Sequence, residues 1–295
     1  MVEIAIITDS SADIPHELAE KNEITIVPMY LSFGGKSYRE GMDIKVGQVY
    51  EALESGLKVT TSAPPAGDFI KVFKDLFENK KKELIYYIGL SSKLSGILNS
   101  AHLASKNFNK DKIKIFDSKT STISLGLIVL EAAKAIRKGI GLDKLNEVIQ
   151  ELIINSRFSA TLESMEHVFK GGRAVFLAKF LSSSFVFKPI LTIGKDGKVK
   201  LKKFARNKKT AILELINQAR KELISLREKC FKKCSLGIFY GSDKKLALQI
   251  EDALRQDSEL KEIIDDVIVT EITAIISAHT GPGIWGVATT PKLEY

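Results

Sequence analysis

The sequence predicts an α/β protein of two domains, the first on a mostly parallel sheet and the second on a mixed or antiparallel one. Three observations carry this expectation. The 295 residues correspond to about two domains at roughly 150 residues each. The first half alternates short apolar runs with helical periods, the signature of β-α-β units. Near Ser156 two consecutive helical segments give way to a strand and a hairpin. The boundary is placed there, giving domains over 1–157 and 158–295.

Four strands are expected in the first half: Ile4 to Thr8, Ile24 to Leu31, Leu84 to Leu90 and Ile113 to Asp117, each rich in Ile, Val, Leu or Tyr as buried strands are. Between them, Phe69, Val72, Phe73, Leu76 and Phe77 recur at helical spacing behind Pro64-Pro65, which preorganises a first turn. Val49, Ala52 and Leu53 form a shorter stripe that stops at Gly56. Helices follow over about Ser121 to Lys138 and Leu142 to Asn155. After the strand Ser156 to Leu162 come a short helix into Gly171-Gly172-Arg173, another helix around Ala174 to Leu181, and a hairpin of Pro189 to Ile193 with Lys198 to Phe204. The hairpin loop Gly194-Lys195-Asp196-Gly197 supplies residues tolerant of positive φ. The chain continues with a long helix from Lys208 to Lys229, strand Ser235 to Tyr240, helix Lys244 to Leu254 and strand Val267 to Ile272. Hairpin and crossover connections together call for a mixed sheet.

Composition narrows the function. Hydrophobic residues make up 44% and charged residues 27%, and Gly plus Pro number only 27, so the chain is neither disordered nor collagen-like. No window reaches the 18 or more apolar residues of a membrane span, and the first residues lack the basic stretch of a secretory signal. Two cysteines four apart, Cys230 and Cys234, form neither a disulfide framework nor a redox pair. A cytoplasmic location fits. The net charge of +8 sits in one place: residues 195–233 hold 14 Lys and Arg against 4 Asp and Glu, whereas the rest holds 30 against 32. Such a stripe attracts an acidic partner surface or makes transient contact with a membrane surface. Only Phe204 and Phe231 are aromatic within it, so nucleic acid, which needs stacking platforms in single-strand binders, is not expected.

Ligands of open α/β sheets bind beyond the carboxyl ends of the strands. Hydroxyls gather there: Thr8-Asp9-Ser10-Ser11, Ser91-Ser92-Lys93-Leu94-Ser95-Gly96, Asp117-Ser118-Lys119-Thr120, and Thr60-Thr61-Ser62-Ala63 before the aromatic-striped helix. One such group is a helix cap. Four at one sheet edge point to a carboxylate or phosphate ligand. Near the C-terminus, Gly281-x-Gly283-x-x-Gly286 matches a dinucleotide fingerprint in letters only, because too few residues follow to complete a β-α-β unit. What the segment offers is His279 beside Thr280 and a Gly-Pro-Gly turn where backbone can approach a ligand. Arg173 and Arg206 are candidate anion forks. Phe176, Phe180, Phe187, Ile275, Ile276 and Trp285 are core residues or the lining of an apolar cavity.

The chain resembles the DegV family, bacterial proteins whose characterised members are the fatty-acid-binding subunits of fatty acid kinase. The resemblance rests on Thr8-Asp9-Ser10-Ser11-Ala12-Asp13-Ile14-Pro15, Thr61-Ser62-Ala63-Pro64, Ser91-Ser92-Lys93-Leu94-Ser95-Gly96, Asp117-Ser118, Gly171-Gly172-Arg173, Lys188-Pro189-Ile190-Leu191 and His279-Thr280-Gly281-Pro282-Gly283, all in order. It implies one long-chain fatty acid buried between the two domains. Its carboxylate would be held by Thr61, Ser95 and His279, with Thr280 and the Thr61-Ser62 backbone beside them. It further implies that the chain does no chemistry alone and uses no cofactor or metal, but presents the acyl carboxylate to a separate ATP-binding kinase that makes an acyl phosphate for phospholipid synthesis. Arg173 and Arg206 would face that kinase or its phosphate. Ile97-Leu98-Asn99 and Ser182-Ser183-Ser184-Phe185 depart from the usual family pattern and bear on acyl preference.

Two other classes compete. Ser95, Asp117 and His279 stand in the chain order of an α/β-hydrolase triad, which would make a serine esterase, although no Gly-x-Ser-x-Gly elbow surrounds Ser95. A DNA-binding regulator would rest on the basic stripe alone. His16, His102, His167 and His279 with the two cysteines give no metal-ligand spacing.

Overall fold

The computed structural model describes residues 2–170, 172 and 187–294. Arg173, the expected helix at 174–181 and the 182–186 segment lie outside the described residues. The first sheet is fully parallel, in the order β2-β1-β6-β7, from β1 (Ile4–Asp9), β2 (Ile24–Val27), β6 (Leu84–Gly89) and β7 (Ile113–Asp117). The sequence reading of Ile24 to Leu31 as one strand is corrected. Pro28, which has no N–H to donate, interrupts it. Beyond the break, β3 (Tyr30–Phe33) turns away and pairs antiparallel with β4 (Lys36–Arg39) and β5 (Thr60–Ser62) in a small sheet of its own. Helices α1 (His16–Lys21), α2 (Val46–Glu54), α3 (Ala66–Lys74) and α4 (Ile97–Ser105) complete this part. Helix α3 runs on through a widened turn, Asp75 to Asn79, closed by Lys80 N–H on Asp75 O. Its aromatic stripe is buried as expected: Phe69 packs on Phe73 at 5.7 Å and on Tyr87 at 5.2 Å between ring centroids.

The second sheet is mixed, in the order β10-β9-β8-β13-β11-β12. It comprises β8 (Arg157–Leu162), β9 (Lys188–Ile193), β10 (Val199–Ala205), β11 (Cys234–Tyr240), β12 (Ile264–Glu271) and β13 (Ile284–Pro291); only β11 and β12 run parallel. Strand β13 had no counterpart in the sequence reading, yet it is central and buried along its whole length. It follows Gly283 directly, so no helix sits where a dinucleotide fold would need one. Helices α8 (Lys208–Glu228) and α9 (Lys244–Gln256) cover one face. Asn207 opens α8 with a reciprocal cap: its side chain accepts from Thr210 N at 2.9 Å while Thr210 Oγ1 accepts from Asn207 N at 3.1 Å.

Between the sheets runs α5 (Thr122–Arg137), with twelve of its sixteen residues buried. Leu125, Ile128, Val129 and Ala132 join the core of the parallel sheet, whereas Ile123 and Leu127 join that of Phe158 and Phe239. A helix apolar all round is what a layer covered on both sides requires. Helix α6 (Leu142–Asn155) packs on α5, and α7 (Glu166–Lys170) and α10 (Ala274–Thr280) lie near the meeting of the two regions. Although α10 follows β12 in sequence, its Ala274, Ile275 and Ala278 belong to the core of the parallel sheet. Among the described residues, no helix is long and apolar enough to cross a membrane.

Candidate functional site

The strand-end hydroxyls are mostly spent on the fold itself. Thr8 Oγ1 donates to Ile88 O at 2.9 Å, Ser10 Oγ accepts from Met29 N at 3.0 Å, and Ser92 Oγ donates to Asp117 Oδ2 at 2.6 Å. Fully buried Asp9 accepts from Tyr87 Oη, Leu90 N and Ser11 N at 2.9 to 3.1 Å. Burial pushes its pKa up and these hydrogen bonds oppose the shift. Ser91 Oγ donates to Gly197 O at 2.8 Å, tying the hairpin tip to the loop after β6. Gly197 has φ +78°, and a Cβ there would lie 2.4 Å from Ser91 Oγ, so both the turn and the contact require glycine.

Thr61 and Ser95 line one cavity instead, of about 870 Å³ with its mouth included, within the range of ligand pockets. Of its nineteen described lining residues thirteen are apolar. The mixed sheet provides a wall by alternation, since Phe158, Ala160 and Leu162 on β8 and Leu191 and Ile193 on β9 point one way. Met29, Leu90, Leu94, Val168, Val199, Ile275, Ile276 and Ile284 close the rest. The six polar residues are Thr61, Ser95, Ser121, Thr122, His279 and Thr280.

Four of the five residues expected at a carboxylate thus come together. Thr61 Oγ1 and His279 Nε2 are 2.7 Å apart across 218 positions of sequence. Ser95 Oγ accepts from Ile97 N at 3.2 Å and keeps its own proton to donate. Thr280 Oγ1 donates to carbonyl oxygens of Ile276 and Gly281, at 3.1 and 3.2 Å, so its proton is committed to the end of α10. Ser62, the fifth, does not join them: it is exposed and is not among the lining residues, because alternation along β5 turns it away from Thr61. Arg206 is exposed beyond the end of β10 and outside the cavity lining. Gly281 ends α10 at φ +72°, where a Cβ would fall 2.3 Å from the His167 ring, so the turn that presents His279 accepts only glycine.

The sequence reading missed Ser121 and Thr122. Thr122 is 2% exposed, has φ +55°, and its Oγ1 makes no hydrogen bond. A β-branched residue in the left-handed region costs on the order of 1–3 kcal/mol and marks functional sites. Nothing in the letters Ser-Thr before a helix distinguishes it from an ordinary cap. The hydrolase arrangement is not assembled. Asp117 serves Ser92 N, Ser92 Oγ and Lys119 N, His279 Nε2 meets Thr61 rather than Ser95, and Ser95 Oγ meets Ile97 N. Part of the basic stripe is paired in place: Lys200 with Asp196, Lys202 with Glu222, Lys203 with Glu214, Arg220 with Asp257, and Arg227 with Glu259. Among the described residues no cluster of His, Cys, Asp and Glu could hold a metal. Cys234 is buried and its thiol is pushed up to about 12 by desolvation, which makes it inert.

A family model settles what these features share with other proteins: that of the DegV family matches residues 3–292. The chain belongs to the DegV family. A DegV domain-containing protein of Caldanaerobacter subterraneus is 31% identical over 287 residues, covering 97% of this chain and 98% of the relative. One of Clostridium perfringens is 34% identical over 220 residues, covering 74% and 77%. Among solved structures, a DegV-family protein of Thermus thermophilus described as fatty-acid-binding superposes with TM-score 0.90 at 24% identity, over 98% of this chain and all of that one. A stearic-acid-binding protein of Eubacterium ventriosum superposes with TM-score 0.86 at 25% identity, over 99% of both chains. The DegV fold is therefore that of a parallel four-stranded sheet and a separate mixed sheet, as expected from the sequence.

Proposed function

We propose that this DegV protein binds one long-chain fatty acid in the cavity between its sheets and presents the carboxylate to a separate kinase. The observation that carries the reading is the Thr61–His279 pair, with Ser95, among the six polar residues of a cavity whose other thirteen described lining residues are apolar. A buried carboxylate is costly unless hydrogen-bonded. Two hydroxyls, an imidazole and nearby backbone N–H groups at Thr61 and Ser62 supply the donors. Each buried CH₂ of the ligand contributes about 0.8 kcal/mol, so the wall does most of the binding and the polar cluster fixes direction. The fatty-acid-binding descriptions of the Thermus and Eubacterium structures support the same ligand class.

The chain by itself holds and orients. Transfer to the separate kinase would let one carboxylate oxygen attack the γ-phosphorus of ATP, breaking its bond to the bridging oxygen and leaving an acyl phosphate and ADP. Exposed Arg206 would meet the kinase or the transferred phosphate, a role that the family resemblance implies for Arg173 as well.

Native mass spectrometry of the purified protein, followed by denaturation and extraction, tests the reading. The expected result is a mass increment of one fatty acid per chain, reduced in Thr61→Ala and His279→Ala. An apoprotein mass that persists after incubation with saturated and unsaturated long-chain acids overturns it.

A further inference from the structure

Asp13 belongs to the opening motif, yet it lies outside the acyl cavity, and Glu40 carried no signal in the sequence at all. Both are buried, at 2% and 7% exposure. Both spend one carboxylate oxygen on the same target. Asp13 Oδ1 accepts from Thr273 N at 2.8 Å, and Glu40 Oε1 accepts from Ala274 N at 3.2 Å. These are N–H groups at the start of α10, which no preceding helical turn can satisfy. Thr273, the residue before the helix, gives no side-chain cap. The cap is therefore supplied from two distant segments of the parallel region, the end of the turn after β1 and the end of β4. Thr270 Oγ1 adds a third tie, donating to Asp13 O at 3.1 Å.

Helix α10 is only seven residues long, and His279 is its penultimate one. A displacement of its first turn is passed to the imidazole with little loss, because so short a helix moves as a rigid piece. We propose that Asp13 and Glu40 are positioning residues for His279, gripping the first turn of α10 so that the imidazole is held against Thr61. This rests on the fatty-acid reading only for its effect on affinity.

The two carboxylates also make the grip titratable. Burial raises Glu40 to about 7 and raises Asp13 in the same direction, with the neighbouring acid adding to the effect at Asp13. The second oxygen of each, Asp13 Oδ2 and Glu40 Oε2, has no hydrogen-bond partner. No ion pair reaches either carboxylate among the described residues. The groups around them are Asp9 on β1, Ser10, His16 and Glu20 on α1, which share the same surface cavity, and Tyr50 on α2 with its partner Glu271. Only His16 could bring positive charge, and it pairs with Glu20 at 3.5 Å on the surface. An ionised Glu40 accepts the Ala274 N–H in a charge-assisted bond, and a protonated one holds it more weakly. The grip therefore tightens as pH rises through about 7.

The test uses palmitate affinity and the ring resonances of His279 in ¹⁵N-histidine-labelled protein without ligand. Wild-type affinity is expected to rise about threefold across the Glu40 titration. Glu40→Gln keeps an acceptor for Ala274 N but cannot ionise, so it should bind within about threefold of wild type with that pH step gone. Glu40→Ala and Asp13→Ala lose a cap and should weaken binding about tenfold and move the His279 resonances while circular dichroism stays native. A pH step that persists in Glu40→Gln, or His279 resonances unmoved in both alanine variants, overturns the proposal. Should wild type bind no palmitate, the fatty-acid reading fails, and the ligand-free resonances still decide whether Asp13 and Glu40 place His279.

Discussion

The parallel and mixed sheets face one cavity and bring opposite chemistry to it. Parallel strands all point their carboxyl ends to the same edge, so the loops after β6 and β7 bring their polar residues to one place, and Ser95, Ser121 and Thr122 reach the cavity from there. The mixed sheet meets the cavity with a face instead of an edge, and period-two alternation makes that face apolar, with Phe158, Ala160 and Leu162 inward and Ser159 and Thr161 on the other side. An edge collects backbone and hydroxyls, whereas a face collects side chains of one kind. An amphiphile fits where the two meet. Helix α10 breaks the symmetry, since it arrives from the later part of the chain and belongs to the earlier core, carrying His279 to Thr61.

The largest test of this division is in the parallel region. Phe69 is fully buried between Phe73 and Tyr87, and Phe69→Ala should cost about 3–5 kcal/mol. Because α10 shares that core, calorimetry should show one transition shifted downward, and two separated transitions would show the regions to be independent. A charge in the wall comes next. Ile193 is half-buried, so Ile193→Glu should fold, but its carboxylate in the apolar cavity should weaken fatty-acid binding at least about 100-fold by isothermal titration.

A pH effect of about 3 kcal/mol follows from Glu40. Its value is about 7 in the folded chain and 4.5 as reference, so the folded state holds the extra proton between these values. That contribution to stability is complete below 4.5, falls as pH rises to about 7, and is absent above. Asp13 adds a slope of the same sign, so the difference between wild type and Glu40→Gln in denaturant titrations across pH isolates Glu40. Thr61→Val keeps the shape and removes the hydroxyl, and should weaken binding by about 1.5–3 kcal/mol, the worth of a bond to a charged group. Wall and polar cluster would then be separable in one assay. The smallest effect is at the hairpin tip, where Ser91→Ala removes the bond to Gly197 O and should cost about 1 kcal/mol in thermal melts.

Much of the fold was legible in the sequence because its elements are periodic. Strands β1, β6 and β7, helices α5 and α6, and the aromatic stripe of α3 each repeat a local pattern that packing then confirmed. The failures are of other kinds. Pro28 divided an apolar run that composition alone presents as continuous. Strand β13 was hidden because the Gly-Pro-Gly turn before it drew the reading toward a loop. The site was legible only in part. Hydroxyls that cap turns and hydroxyls that line the cavity have the same letters, and Ser91 and Ser95 are told apart only by what lies opposite them. The meeting of Thr61 with His279 was expected through family resemblance, since no spacing rule joins residues 218 apart. Glu40 had no signal because its role depends on a helix more than 230 positions away.

Strand β13, the last of the described strands in sequence order, lies at the middle of its sheet between β8 and β11. Helix α10, just before it, completes the core of the first region. Neither region can therefore close before residues 274–291 have been made, even though synthesis at about 5–20 residues per second leaves the first 150 waiting for several seconds or more. The nascent first half exposes the groove that α10 will fill, and such long-range closure is slow. Truncation at about residue 270 would then yield two incomplete pieces and a target for chaperones and proteases, not a smaller working protein.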